Sequence, residues 1–324
     1  MLHYLGETQK GRLPHVRKIA RYASEDYMLL DPQTRRNLEL VAPLRSDGND
    51  GTLVSILDRS CTAMGARLLR RWLIRPLRSV DEITRRLDAV EALFRSRTLR
   101  DKLREELAQV GDLERLAARA STGRATPRDV TAVRLTLEQI PAVKTLFAGE
   151  ACEPLRDAGE RLTLCSHLVD RIGRALVDDP PAGLGEGGFI RAGFNSELDE
   201  LRGLARSGKD WLARMQKQES ERTGISSLKV GFNRVFGYYL EVTNVHREKV
   251  PADYIRKQTL VNAERYITPE LKEYEEKILT AEERIASLES ELFNELRMEV
   301  AEETEALQRN ARLLAVLDCF ASLA

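Results

Sequence analysis

The chain has 324 residues, of which 42% are hydrophobic, 6% are aromatic and 31% are charged. This length allows one elongated domain or two compact ones, and a composition rich in charge but poor in aromatics favours long helices over a β-sandwich. The formal net charge is zero, which excludes an overall basic field that would attract nucleic acid. Any nucleic-acid site must therefore arise from local segregation of charge.

The cysteines and the apolar runs indicate the compartment. Cys61, Cys152, Cys165 and Cys319 form no CxxC pair, and no histidine stands at metal-ligand spacing from them. We expect reduced thiols and no metal. No run of about 18 apolar residues occurs, as a transmembrane helix would need. Residues 1–17 lack the apolar core of a signal peptide. The cytoplasm is the expected location.

Helical spacing of apolar residues dominates the first half of the chain. Tyr27–Leu30 precedes Asp31-Pro32 and predicts a strand that enters a turn. A short helix is predicted over residues 34–40 and a loop over residues 45–51. From residue 52 to about residue 176 the 3–4 spacing predicts successive helices.

Local signals mark several helix boundaries. Ser79 and Glu82 have the spacing of a capping box, in which each side chain bonds the other residue's amide. Thr126-Pro127 predicts an N-cap followed by proline at the first helical position. The Gly- and Pro-rich residues 178–188 form the strongest break in the chain.

Two long helices are predicted in the second half. The first covers about residues 191–222 and ends at Gly224, and the second begins at Thr268-Pro269. At roughly 30 residues each would span about 45 Å. Each has a narrow apolar seam, so we expect them to pair antiparallel. Gly208 is expected to weaken the first helix.

The segment between these helices has a different pattern. Residues 228–233 alternate apolar and polar positions, Phe236-Gly237 predicts a turn, and Tyr238–Val242 is rich in β-formers. Thr259–Ile267 predicts one further strand. The predicted fold is therefore mainly α, an elongated helical core with a long antiparallel two-helix lever and a small β-rich clamp inserted at its tip.

Charge is distributed unevenly over this half of the chain. Residues 228–268 hold seven basic and four acidic side chains, whereas residues 269–310 hold five basic and thirteen acidic ones. A mildly basic segment attracts phosphate while an acidic helix repels it. We interpret the carboxylates of residues 270–305 as a solvated helix face rather than as acid–base pairs.

Catalytic motifs are missing from the sequence. No GxxxxGK[ST], HExxH or GxSxG pattern occurs, and the histidines, His3, His15, His167 and His246, are scattered. We therefore expect that this chain is not an enzyme.

Several long motifs resemble the MutS family of DNA mismatch repair proteins. Residues 52–73 (TLVSILDRSCTAMGARLLRRWL) resemble the opening of its core domain, together with residues 34–40 (TRRNLEL). Residues 228–240 (LKVGFNRVFGYYL) and 258–276 (QTLVNAERYITPELKEYEE) resemble its clamp and the start of its returning lever helix. The resemblance covers essentially the whole chain.

The resemblance implies a division into domains. Residues 1–31 resemble the end of the connector domain, residues 32–208 and 269–324 the core and lever, and residues 209–268 the clamp. In the family, two subunits close around double-stranded DNA, and the levers connect the clamps to ATPase domains. The mismatch-recognition and ATPase domains do not match any part of this sequence, so the chain is expected to be a piece of a longer protein. ATP and magnesium would serve only that longer protein, a homodimer, and this chain would need no cofactor.

The resemblance also implies contacts to the DNA backbone that read no sequence. They are expected at two groups of positions in the clamp, namely Asn233, Arg234 and Val235, and Lys257, Thr259, Asn262 and Arg265. Many family members have lysine at the position of Val261, so we expect a weaker grip here. Arg234, where relatives have a small residue, is expected to compensate.

Two other readings remain open from the residues alone. The helices could form a structural or oligomerisation module with negligible DNA binding of its own, and the acidic residues 270–305 favour that reading for the lever. An unrelated enzyme is the other alternative. A clamp held by only two helices is also expected to be mobile.

Overall fold

A computed structural model of the chain describes residues 26–44, 50–233, 235 and 237–324, except for the side chain of Lys209. These residues divide into two compact units, one of the described residues up to Phe189 with Asn294–Ala324 and one of Ile190–Phe293. The first unit is helical, and the second contains a small antiparallel sheet. The predicted class, mainly α with a small β-rich insert, is confirmed.

The described helices are numbered in chain order. They are α1 (Pro32–Asn37), α2 (Leu53–Leu57), α3 (Ala63–Ile74), α4 (Val80–Arg95), α5 (Arg97–Ala108), α6 (Leu113–Ser121), α7 (Pro127–Leu146), α8 (Glu153–Arg161), α9 (Ser166–Ala175), α10 (Ser196–Thr223), α11 (Pro269–Glu302) and α12 (Thr304–Leu323). The strands, all in the second unit, are β1 (Lys229–Asn233), β2 (Gly237–Thr243), β3 (Ile255–Thr259) and β4 (Ala263–Ile267).

Most helix boundaries follow the local signals in the sequence. Thr126 caps α7 in a complete capping box with Asp129, and proline is at the first position. The Ser79 side chain accepts from the amide of Glu82 at 3.4 Å, so half of the predicted box at α4 is present. Asp31 caps α1, which starts earlier than predicted because the Asp31 carboxylate bonds the amides at the first turn.

The predicted strand at Tyr27–Leu30 is wrong. Only Tyr27 forms a bridge, to Leu77, and Met28 adds one bond to the carbonyl of Pro76. Met28 and Leu29 are largely exposed, and this apolar run does not form part of a sheet. Its β-forming residues therefore stay an irregular segment.

The core of the first unit is organised around α12. This helix contacts α3, α4, α5, α6 and α8 and buries most of its residues. It also carries two buried polar side chains that form hydrogen bonds with backbone groups of neighbouring loops. Asn310 exchanges two bonds with the backbone of Thr163, at 2.9 and 2.7 Å. Asp318 accepts from Cys61 and Thr62 at the start of α3.

In the second unit, α10 and α11 run antiparallel. Contacts between them descend along α11 as they ascend along α10, from Arg284 bonded to Glu197, through Ile278 against Gly208, to Tyr274 stacked on Trp211. Gly224, at φ 65°, ends α10 as predicted. Thr268 caps α11 by accepting from the amide of Leu271 at 3.1 Å. The predicted antiparallel helix pair is therefore present in this unit.

Two carboxylates correct the interpretation of α11 as a solvated acidic face. Glu275 and Glu289 are 6% and 1% exposed. The Arg202 guanidinium of α10 pairs with the Glu289 carboxylate, and Lys272 pairs with Glu275 at 2.8 Å. A buried carboxylate is tolerated when it is paired and hydrogen-bonded. The helix seam is therefore polar at these two places.

The sheet has the order β1-β2-β4-β3, with all neighbours antiparallel. One face carries Leu240, Val242 and Tyr266, which are buried against Leu212 and Met215 of α10 and further residues of the unit. The predicted strand over Thr259–Ile267 is present in its second part as β4, and a turn at residues 260–262 separates that part from Thr259, the last residue of β3. Strand β3, which the sequence did not predict, pairs with β4 across that turn.

Candidate nucleic-acid interface

The outer face of the sheet, opposite the helices, carries a network centred on Arg265. The guanidinium lies 4.3 Å from the ring centroid of Tyr239, pairs with Glu241 at 2.9 Å and donates to Gln258 at 3.0 Å. The side chain of Arg265 is 19% exposed. Gly231 lies directly under the Tyr239 ring, where a Cβ would be 2.7 Å from the ring. The network thus joins all four strands.

The predicted DNA-contacting residues lie at two opposite ends of the sheet. Strand β2 runs from Gly237, which pairs with Asn233, to Thr243, which pairs with Ala263. At about 3.3 Å per residue, these ends are roughly 20 Å apart. Asn233 and Val235 lie at the first end, and Thr259 and Asn262 at the second. The structure therefore does not bring the two predicted groups together into one cluster.

At the first end, the turn from β1 to β2 is anchored by α11. Asn233 accepts from the amide of Val235 at 2.7 Å, and Val235 is 78% exposed. Gly237 adopts φ 78° beneath the carboxylate of Glu275. The same carboxylate accepts from the amide of Tyr238 at 2.8 Å. Arg234 lies outside the described residues.

At the second end, three predicted residues are exposed and free of ion pairs. Lys257 is the extra residue of a bulge between Arg256 and Gln258, and Thr259 ends the strand. Asn262 follows in the turn to β4. Among the described residues, none accepts a hydrogen bond from these three side chains or forms an ion pair with them. Their polar groups are therefore available to a ligand.

A buried carboxylate organises two arginines beside this second end. Glu264 is 2% exposed and accepts from the hydroxyl of Tyr266. Arg256 and Arg247 pair with it at 3.3 and 3.4 Å, and both are more than half exposed. The Tyr266 bond and the arginine charges hold the pKa of Glu264 below its usual range. Burial and the charge of Glu264 raise the pKa of Tyr266 to about 12.

Sequence reasoning missed this group because its three residues lie in different elements and share no regular spacing. Arg247 lies in a short 3₁₀ helix at Asn244–Lys249, and Arg256 lies in the strand that the sequence did not predict. Glu264 would have been interpreted as a solvated strand residue. Two basic residues remain against one acidic residue, so the group keeps a positive charge near the second end.

Three further features of the described residues bear on other kinds of site. The described helices include none with the length and apolar run that would carry it across a membrane. In the same part of the chain, no three His, Cys, Asp or Glu side chains are grouped as metal ligands would be. A groove of about 740 Å³ follows α10 and α11, and its lining combines apolar side chains such as Leu204 and Trp211 with charged ones such as Glu273.

Comparison with known proteins identifies relatives over the full length of the chain. It is 62% identical over 323 residues to a DNA mismatch repair protein MutS of Salinibacter ruber and 50% identical over 323 residues to that of Symbiobacterium thermophilum. All of this chain is matched in both cases, but only 36% and 37% of the length of the relatives is covered. A MutS relative from Phocaeicola vulgatus is 46% identical.

A sequence model described as MutS domain III matches residues 33–324. It covers all the helices and strands described above except part of the first turn of α1. The relatives and this match agree over the same residues. The chain therefore belongs to the MutS family and contains its domain III.

Proposed function

We propose that residues 228–268 bind the backbone of double-stranded DNA without sequence preference, as part of a larger DNA mismatch repair protein. The observation that carries this proposal is the second end of the sheet, where Lys257, Thr259 and Asn262 are exposed and their side chains have no partner in the part of the chain that the structure describes. Side chains of these types bond phosphate oxygens and do not read base edges from such a position.

Charge supports the same assignment. The segment 228–268 is net basic, whereas residues 269–310 are net acidic. Phosphate would be attracted to the sheet and repelled from α11. Arg247 and Arg256, which share the single carboxylate of Glu264, add positive charge beside Lys257. Few phosphates would be neutralised, so the isolated chain should bind with Kd of about 10⁻⁴ M or weaker at physiological salt.

The first end of the sheet is the weaker of the two candidates. Its turn is bonded to Glu275 through the amide of Tyr238, so an acidic group already occupies that backbone donor. Asn233 uses its side-chain oxygen on its own turn. Both Asn233 and Val235 remain proposed contacts, together with Arg234. Arg265 remains a proposed contact with most of its donors engaged inside the sheet.

The role in the larger protein is proposed from the relatives. We propose that α10 and α11 act as the lever of a homodimer, connecting DNA contact to ATP hydrolysis with magnesium in parts of the protein outside this sequence. This chain itself would carry no catalysis, and the domain boundaries given above stay a prediction. The cytoplasm remains the expected location.

Fluorescence anisotropy of labelled matched and mismatched duplexes tests the DNA proposal. At low salt we expect saturable binding that is equal for both duplexes and falls steeply as salt is added. Lys257→Ala should weaken binding to both equally and reduce the salt slope by about one. Lys277→Ala is the matched control, because Lys277 lies on α11 and is paired with Glu273. Absence of binding at low salt would refute the proposal.

The groove along α10 and α11 supports the alternative, an oligomerisation module. Its lining includes Leu204, which is 63% exposed, and Trp211, together with charged side chains such as Glu273. Exposed apolar side chains rimmed by polar ones mark protein contacts. Sedimentation equilibrium distinguishes the two functions: self-association that Leu204→Glu abolishes, with no duplex binding at low salt, would favour the oligomerisation module.

A further inference from the structure

The turn between β3 and β4 is held by one residue outside the hairpin. Asn244, which follows β2, donates from its side-chain Nδ2 to the carbonyl of Val261 at 2.9 Å. Its backbone amide donates to the carbonyl of Asn262 at 3.1 Å. Both residues of the turn are thus bonded through their carbonyl oxygens to the same asparagine.

These bonds leave the donors of the turn available. The turn closes through the amide of Leu260, which donates to Ala263 at 2.8 Å. No described residue accepts from the amide of Val261, from the amide of Asn262 or from the Asn262 side chain. Val261 is 91% exposed, so water or a ligand can reach this backbone. Open backbone amides in a turn are anion-binding groups.

We infer that the amides of Val261 and Asn262 bind a single backbone phosphate of the duplex, and that Asn244 is the positioning residue that holds them. This inference rests on the proposed function and adds the donors and the residue that fixes them. The two hydrogen bonds that Asn244 donates to the turn both go to carbonyl oxygens, so it orients the turn's donors without using any of them.

The side chain of Val261 does not supply the proposed donor at this position. A lysine at this position would add a charge, and valine cannot. The backbone donor at residue 261 does not depend on the side chain. If this amide is held in place before the ligand binds, less conformational entropy is lost on binding. Valine can therefore be tolerated here because Asn244 fixes the turn.

The test uses the full chain and a labelled duplex at low salt, with anisotropy as the readout. Asn244→Ala and Asn244→Leu both remove the side-chain donor, and Leu keeps a similar volume. Each should weaken binding about 3- to 10-fold, the value of one hydrogen bond. Val245→Ala is the matched control, because Val245 is the next residue, 88% exposed, and should leave binding unchanged.

A double-variant cycle separates positioning from an independent contact. Asn244→Ala should lose most of its effect in an Asn262→Gly background, since glycine loosens the turn by itself. The salt slope should stay unchanged, because no charge is removed. In two-dimensional NMR, the amide signals of Val261 and Asn262 should shift in Asn244→Ala, while those of β1 and β2 stay in place.

The outcomes are distinguishable from those of the proposed function. If the unmodified chain does not bind duplex at low salt, the proposed function fails. If it binds and Lys257→Ala weakens it, but Asn244→Ala and Asn244→Leu do not, only the present inference is overturned. Strictly additive effects of the two asparagines would also overturn it, since they would mean that Asn244 does not act through the turn.

Discussion

At the scale of single residues, Arg265 and Lys257 have the same charge but different surroundings. Arg265 is 19% exposed and bonded to Glu241 and Gln258, whereas Lys257 is exposed at a bulge with no described partner. The first stabilises the sheet, and the second is accessible to a ligand. Charge alone could not distinguish them, because the distinction depends on which strands are neighbours.

Replacing each of these residues by glutamine should therefore give opposite results. Arg265→Gln should lower the free energy of unfolding by about 1–3 kcal/mol, because it breaks charged hydrogen bonds and a cation–π contact. Lys257→Gln should leave stability unchanged and weaken duplex binding. Urea denaturation and anisotropy on the same samples provide both readouts. A stability loss for Lys257→Gln equal to that for Arg265→Gln would contradict this assignment.

Asp318 in α12 provides a prediction about pH. It accepts from the amides of Cys61 and Thr62 and from the Thr62 hydroxyl, at 2.9, 2.8 and 2.6 Å. These bonds lower the pKa of the Asp318 carboxyl, but burial outweighs them and raises that pKa above its usual value. The folded state therefore holds the Asp318 proton more tightly than the unfolded chain does.

The sign for stability follows from this linkage. The contribution of protonated Asp318 is fully present below the unfolded pKa near 3.8 and is lost as pH rises through the higher folded pKa. Asp318→Asn has no such proton. The difference in unfolding free energy, unmodified chain minus variant, should fall as pH rises across this window. Urea titrations at several pH values measure it, and a difference that rises with pH would contradict the burial argument.

At the scale of elements, α10 and α11 approach closely at Gly208. A Cβ there would lie 2.5 Å from Cγ1 of Ile278, whereas a Cβ at Gly203 of the same helix meets nothing within 4 Å. Glycine is a poor helix former, but the lack of a side chain at Gly208 allows the two helices to pack. The sequence indicated only the low helix propensity of this glycine, because Ile278, the residue that packs against it, lies on another helix.

The two glycines should therefore respond to alanine in opposite directions. Gly203→Ala should stabilise α10 by up to about 1 kcal/mol through helix propensity. Gly208→Ala should destabilise the pair by about 1–3 kcal/mol, because the added methyl overpacks Ile278. Trp211, stacked on Tyr274 at 3.6 Å, reports unfolding of the pair once Trp72→Phe removes the other tryptophan. Stabilisation by both substitutions would show that the close approach carries no strain.

What could be predicted at this scale depended on whether the signal was local. Helix caps such as Thr126 and the end at Gly224 act within one turn, so the residues themselves specify them. Strand β3 is exposed at Ile255, Arg256 and Lys257, so it lacks the alternation that marks a strand. It is a strand because β4 pairs with it, which no local pattern expresses.

The buried carboxylates of α11 were a signal that was present and not used. Glu275 and Glu289 are spaced three and four residues from the apolar seam positions Ile278 and Ile285, on the same face of the helix. If the three- and four-residue spacing is applied to charged residues as well as apolar ones, it places both glutamates on the apolar seam. Their partners Arg202 and Lys272 could not have been chosen from sequence alone, because several basic residues were within reach.

At the scale of the whole molecule, the net charge of zero includes two neighbouring segments of opposite charge. The segment 228–268 is positive and residues 269–310 are negative, and both lie in the half of the sequence that the DNA proposal concerns. In the DNA proposal, attraction at the sheet and repulsion by α11 would act on the same duplex. The balance between them depends on ionic strength, because screening removes the longer-range term first.

This balance can be shifted without touching the proposed contacts. Glu276 and Glu283 of α11 are exposed. The double variant Glu276→Gln, Glu283→Gln should tighten duplex binding at low salt by less than about threefold, because each charge acts through water over many ångströms. The gain should disappear near physiological salt, where the screening length is about 8 Å. Glu273→Gln is the comparison, since Lys277 already neutralises that carboxylate at 2.8 Å. A gain that persisted at high salt would mean that α11 contacts the duplex directly, and a loss of binding would mean that its acidic face does not repel DNA at all.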